Sequence, residues 1–243
     1  MIAVYDSTFE GFLTLIYKVY YEKLKPSEIK RQMPQTLFLD EIVEIQTDMD
    51  HADKVLKGLN SRFEKENLDR IFHIFMCDSR EFELSLLEYI IIGFKDQKQL
   101  SNINISAIDY ILNLEKELFS TVHKMYGFVR FEELKDGTLY AKIDNKFNIA
   151  YFLGKHFLKR LNNQNFIIHD IKRELAFLKM GEDSSIQKVS DFDMPTYSVK
   201  EEKFQKLWKR FFSSVTIESR ENKRAQRNFV PFIYRTYMNE FSS

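Results

Sequence analysis

The hydrophobic pattern of this chain changes period once, near residue 127, and that change limits the folds open to it. Upstream, apolar residues recur at helical spacing. Phe9, Phe12, Leu13, Ile16, Tyr20 and Leu24 form one stripe, and Ala52, Val55, Leu56, Leu59 and Phe63 form another. Ser7 with Glu10 fits a capping box for the first helix, and Thr47 or Asp48 suits the start of the second. Further helices are expected over about 67–77, 80–94 and 104–126, with short strands at 2–5 and 41–46.

Downstream, 128–131 and 138–143 read as strands around a Lys135-Asp136-Gly137 turn, whose Asp-Gly step favours a hairpin. A helix over about 148–162 and a strand pair at 166–169 and 174–178 complete a β-β-α-β-β block, antiparallel by its short connections. Helices over about 199–213 and 220–228 close the chain. The expected class is α+β: a largely helical first half, an antiparallel β-β-α-β-β block in the second, then C-terminal helices. One domain over 1–243 is expected, with a helical part (about 1–126), a sheet part (about 127–180) and a C-terminal helical unit (about 199–243). The stretch 181–198, rich in acids, serines and one proline, reads as an excursion before that last unit.

Charge is polarised on a neutral molecule. Lys plus Arg and Asp plus Glu each total 36, yet residues 200–243 hold ten bases against five acids, and residues 1–100 thirteen against eighteen. Such a molecule can turn one basic surface toward a polyanion. Cys77 is the sole cysteine, which excludes an intramolecular disulfide and a thiolate-held cluster and fits a cytoplasmic setting. The N-terminus has no secretory pattern, and the longest apolar run, 84–94, is too short to cross a bilayer, so no membrane role is expected.

Several residues carry candidate chemistry. Arg220, Lys223, Arg224 and Arg227 recur at i, i+3, i+4 and i+7, a comb suited to phosphates, and Asn222 and Gln226 flank it to reach sugar or base edges. A solvated helix face explains the same spacing. His123, Lys124 and Arg130 are a candidate anion pocket, although His123 and Lys124 also suit a helix C-terminus. Arg130, among apolar neighbours, needs a partner or a ligand. Asp6 and Glu10, with His123, are the acid–base candidates, with helix capping as the plainer role for Asp6. His73 and Cys77 lie four apart within a core-like run, and Trp208 suits either base stacking or an amphipathic helix. The chain has no G-x-x-x-x-G-K-[ST] loop, no G-x-G-x-x-G, no G-x-S-x-G and no clustered zinc pattern, so no cofactor or metal is assigned.

Three of these segments resemble a bacterial family of unknown biochemical activity, described as probable DNA metabolism proteins. Tyr5-Asp6-Ser7-Thr8-Phe9-Glu10-Gly11-Phe12-Leu13 is similar to the family's Y-D-G-[ST]-F-E-G-[FL]-L, with Ser7 in place of glycine. His123-Lys124-Met125-Tyr126-Gly127-Phe128-Val129-Arg130-Phe131 resembles H-K-M-x-x-F-V-R-F. Arg220, Asn222, Gln226, Pro231, Tyr234 and Glu240-Phe241 match R-x-N-x-x-x-Q-x-x-x-x-P-x-x-Y followed by E-F, which adds Tyr234 to the candidates.

The resemblance implies a companion of a radical-SAM protein encoded nearby and proposed for DNA modification or repair. Some relatives carry a uracil-DNA glycosylase-like domain, but this chain lacks that domain's G-x-D-P-Y and H-P-S-P signatures. The expected role is a DNA-associated accessory protein, for single-stranded or damaged DNA, holding phosphate through its basic C-terminal surface. The alternative is an enzyme acting on a nucleic-acid base or phosphate, with Asp6 or Glu10 set against His123, Lys124 and Arg130.

Overall fold

The computed structural model describes residues 1–33, 41–189, 196–215 and 222–241. The chain is α+β and divides into two compact units, Met1–Leu118 and Phe119–Ser243.

In the first unit, β1 (Ile2–Tyr5) is the centre of a parallel three-stranded sheet. It is flanked by β2 (Glu28–Lys30) and β3 (Ile42–Ile45). All four β1 residues are buried, as the unbroken Ile-Ala-Val-Tyr run requires of a strand covered on both faces. Helix α1 (Phe9–Tyr21) makes the crossover from β1 to β2 and packs on α2 (Met49–Arg62). Burying Phe12, Leu13, Leu15 and Ile16 of α1 contributes roughly 1.5–3 kcal/mol per side chain. Strand β2 escapes the sequence pattern because only Ile29 of its three residues is apolar and buried.

Helix α1 starts one residue later than the capping box implies. Thr8 is the cap, its hydroxyl accepting from the Gly11 amide at 2.9 Å. Ser7 is held at φ 66°, a left-handed conformation that glycine adopts without a Cβ penalty. Asp48 caps α2 through the His51 amide.

Helices α3 (Lys65–Phe75), α4 (Glu83–Lys95) and α5 (Ser106–Phe128) complete the helical part. Buried Arg70 ties them together through Glu115 (2.7 Å), Glu66, Asn67 and the Tyr89 hydroxyl. A second clasp joins Arg31 to Glu83, a buried carboxylate that also accepts from the Tyr5 hydroxyl at 3.2 Å.

The second unit is built on a five-stranded sheet of order β4-β5-β6-β7-β8, comprising Glu132–Glu133, Leu139–Ile143, Phe166–Asp170, Leu175–Met180 and Asp183–Lys188. Three pairings are antiparallel. The β5–β6 pair is parallel, contrary to the all-antiparallel expectation, because α6 (Ala150–Arg160) carries the chain back across the sheet between them. The expected turn is present, with Gly137 at φ 84° between β4 and β5.

Two further expectations are corrected. Residues 128–131 are not a strand: α5 runs to Phe128 because its apolar stripe continues from Val122 and Met125 to Val129. Part of the supposed excursion is β8, a wholly exposed edge strand whose Asp-Ser-Ser-Ile-Gln-Lys sequence lacks any alternation to betray it. Helices α7 (Val199–Val215) and α8 (Lys223–Phe229) follow.

Candidate nucleic-acid interface

Arg130 lies in the short segment between α5 and β4, where its guanidinium is satisfied within the fold. It donates to both oxygens of Glu240, at 2.5 and 3.3 Å, and to the carbonyls of Gly127 and Val129. Glu240 is only 4% exposed at its side chain and also accepts from the Trp208 indole N–H at 3.3 Å. Burial alone would raise its carboxyl, but the Arg130 and Trp208 hydrogen bonds outweigh that and hold it below the usual glutamate range. Tyr234 packs its ring on Phe128 at 5.2 Å. Two sequence motifs more than a hundred residues apart are therefore joined in one clasp, with Trp208 of α7 fixed to it.

Helix α7 presents three faces. Glu201 points inward and accepts from the Glu133 amide, and Gln205 reaches Glu132. Phe204, Leu207, Phe211 and Val215, at i, i+3, i+7 and i+11, form an apolar stripe left 54–60% exposed. Lys203, Lys206 and Arg210, at i, i+3 and i+7, form an exposed basic stripe beside it. An open groove of about 870 Å³ runs along the apolar side, lined by Arg130, Phe131, Phe204, Leu207, Trp208 and Phe211 among others.

Helix α8 starts at Lys223, capped by Asn222, whose side-chain oxygen accepts from the Ala225 amide. Lys223, Arg224, Gln226 and Arg227 are all exposed, and the Arg227 guanidinium lies 5.1 Å from the Phe232 ring centre. Arg220, the first tooth of the expected comb, lies outside the described residues. Phe229 and Phe232 are exposed too, at 80% and 59%. His123 and Lys124 are exposed on α5, and the His123 ring meets Tyr126 edge-on at 6.3 Å.

The acid–base candidates Asp6 and Glu10 belong to the first unit. Asp6 accepts from the Thr8 amide (3.0 Å), the Thr8 hydroxyl (2.6 Å) and the Thr47 hydroxyl (2.7 Å). Burial opposes ionisation, yet these donors lower its pKa, so it is a weak proton acceptor near neutrality. Gly11 makes room for this network: a Cβ there would stand 2.2 Å from Asp6 Oδ1. The opening motif is thus a turn-and-cap device. Asp6→Ala is expected to cost about 1 kcal/mol in urea unfolding while leaving nucleic-acid affinity unchanged.

His73 and Cys77 do not form a joint ligand pair. The His73 ring engages Glu115 at 2.8 Å, and the buried Cys77 thiol contacts the His73 carbonyl. Among the described residues, no group of three or more His, Cys, Asp or Glu side chains could hold a metal ion. Neither α7 stripe stands out in the sequence. Their signal was two superposed i, i+3, i+7 series, Lys203/Lys206/Arg210 and Phe204/Leu207/Phe211. A buried Tyr140–His169 hydrogen bond of 2.9 Å across β5 and β6 was equally hidden, since it depends on strand register.

Compared with known proteins, residues 80–240 match the model of a family described as a domain of unknown function, DUF4130. The match takes in the Arg130–Glu240 clasp, α7 and α8, but not the Tyr5–Leu13 motif. No curated protein matches the chain. No helix among the described residues is long and apolar enough to cross a membrane.

Proposed function

The chain belongs to the DUF4130 family, and we propose that it is a nucleic-acid-associated accessory protein in DNA repair or modification that holds single-stranded DNA on its C-terminal helices. The observation that carries this reading is the pairing on α7 of an exposed basic stripe with an exposed apolar one that carries the rings of Phe204 and Phe211. Cations in a row neutralise successive phosphates, and neighbouring rings offer stacking surfaces to unpaired bases. Lys223, Arg224 and Arg227 of α8 are further exposed cations, with Phe229 and Phe232 exposed nearby in sequence. Arg130 contributes indirectly: through Glu240 it fixes the Trp208 edge of the groove. His123 and Lys124 are exposed cationic candidates for further phosphate contacts.

In this role the protein presents a strand and leaves the chemistry to a partner enzyme. The radical-SAM companion implied by the family resemblance is the partner we propose. A chain with a single, buried cysteine suits the member of such a pair that does not carry the cluster.

Fluorescence anisotropy with a labelled single-stranded oligonucleotide tests the reading. Six contacts from Lys203, Lys206, Arg210, Lys223, Arg224 and Arg227 give a slope of log affinity against log salt of roughly −4. Arg224→Ala with Arg227→Ala should make that slope shallower by about 1.4. Phe204→Ala with Phe211→Ala should weaken single-strand binding by about 1–3 kcal/mol per stacked base and leave duplex binding unchanged. Undetectable binding at low salt, or affinity indifferent to both pairs of substitutions, would reject the proposal.

A further inference from the structure

The first unit contains a second recess, lined by α1, α2 and Phe94 near the end of α4, with a volume of about 210 Å³. We propose that it is a binding site for one nucleotide unit, an aromatic base carrying phosphate. The site is independent of the C-terminal surface and rests on its own residues.

Its floor is apolar, made by the buried Ile16 and Val55. Its walls are rings: Tyr20 and Tyr21 are 50% and 61% exposed, and Tyr20 packs obliquely on Phe94 with centres 6.3 Å apart. Large rings left half in water at a recess present stacking faces to a flat ligand. The rim carries two cations. Arg62 sits 5.9 Å from the Phe94 ring centre, and Lys54 sits 5.6 Å from the ring centre of Tyr17. A ring face steadies a cation without neutralising it, so both keep their charge for a ligand. Among the described residues, no acidic side chain lines the recess.

The chemistry therefore selects an anion with a flat aromatic body and disfavours cations. Size narrows it further. The volume lies below the roughly 300–1,000 Å³ of drug-sized ligand sites, which leaves room for a single base with its phosphate at the rim. Gly58 sets the depth: a Cβ there would lie an ordinary 3.6 Å from Phe94 Cζ, but anything larger would fill the space.

Calorimetric titration of the full chain with deoxyadenosine monophosphate, deoxyadenosine and inorganic phosphate tests this. The monophosphate is expected to bind, and deoxyadenosine at least about tenfold more weakly, because each lost charge-assisted contact is worth about that much. Lys54→Ala with Arg62→Ala, both exposed positions, should weaken the monophosphate at least about tenfold without shifting the melting temperature. Gly58→Phe should abolish binding. Arg224→Ala with Arg227→Ala should leave it unchanged, which separates this site's failure from that of the C-terminal surface. Equal competition by 5′-phosphorylated and unphosphorylated oligonucleotides would assign the site to free nucleotides, and preference for the phosphorylated end to strand termini. No monophosphate binding at millimolar concentration, deoxyadenosine or inorganic phosphate binding as well as the monophosphate, or affinity unaltered by the Lys54/Arg62 pair, would overturn the proposal.

Discussion

Glu240→Ala is expected to lower the unfolding free energy by about 2–3 kcal/mol, among the largest single-residue effects in the second unit. Removing this carboxylate deprives Arg130 of two charge-assisted hydrogen bonds and Trp208 of its acceptor. Breaking a fully buried pair costs about 3–5 kcal/mol, and the lower figure reflects an Arg130 side chain that remains 25% exposed and partly hydrated. Because Trp208 is the only tryptophan, its emission reports the event directly. A double-mutant cycle with Arg130→Ala should recover a coupling of about 1–3 kcal/mol. A coupling near zero would mean that the two side chains contribute separately.

The same carboxylate predicts a pH dependence. Its pKa is lower folded than unfolded, so its contribution is complete above the ordinary value of 4.5 and is lost as pH falls through the lowered folded value. Glu240→Gln should flatten that acid limb. Any loss of single-strand affinity in the same variant would then trace to the displaced Trp208 edge of the groove.

Gly154→Ala is the second large effect, expected to cost about 1–3 kcal/mol despite the better helix propensity of alanine. A Cβ at this position of α6 would stand 2.2–2.4 Å from ring atoms of Phe177 on β7, so helix and sheet must separate or the buried ring must turn. Gly127→Ala in α5 provides the opposite case. Nothing lies within 4 Å of its added Cβ, and stability should rise by up to about 0.5–1 kcal/mol, less if the helix end frays. Thermal or urea unfolding of both variants is decisive, since opposite signs are required. Equal changes would show that propensity, not close approach, governs both sites.

Much of the fold was legible because burial and period coincide. Ile108, Ile111, Leu118, Val122 and Met125 mark the inner side of α5, and Asp136-Gly137 marks the β4–β5 turn. Legibility failed where backbone pairing alone makes the element. Strand β2 has one buried apolar residue, β8 has none, and the β5–β6 direction depends on where α6 delivers the chain. Of the candidate site, the sequence made the α8 cations and the isolated charge of Arg130 visible. It could not tell whether Arg130 faced a ligand or a carboxylate, because Glu240 is over a hundred residues away.

The sequence by itself determined the α+β class, most element positions and the cationic bias of the C-terminal stretch, because each is written in local spacing and charge. Only the tertiary structure decided that Arg130 serves the fold, that Asp6 is held by three hydroxyl and amide donors, and that α7 leaves its rings in solvent. Those outcomes depend on which distant groups desolvate one another, and no local pattern encodes that.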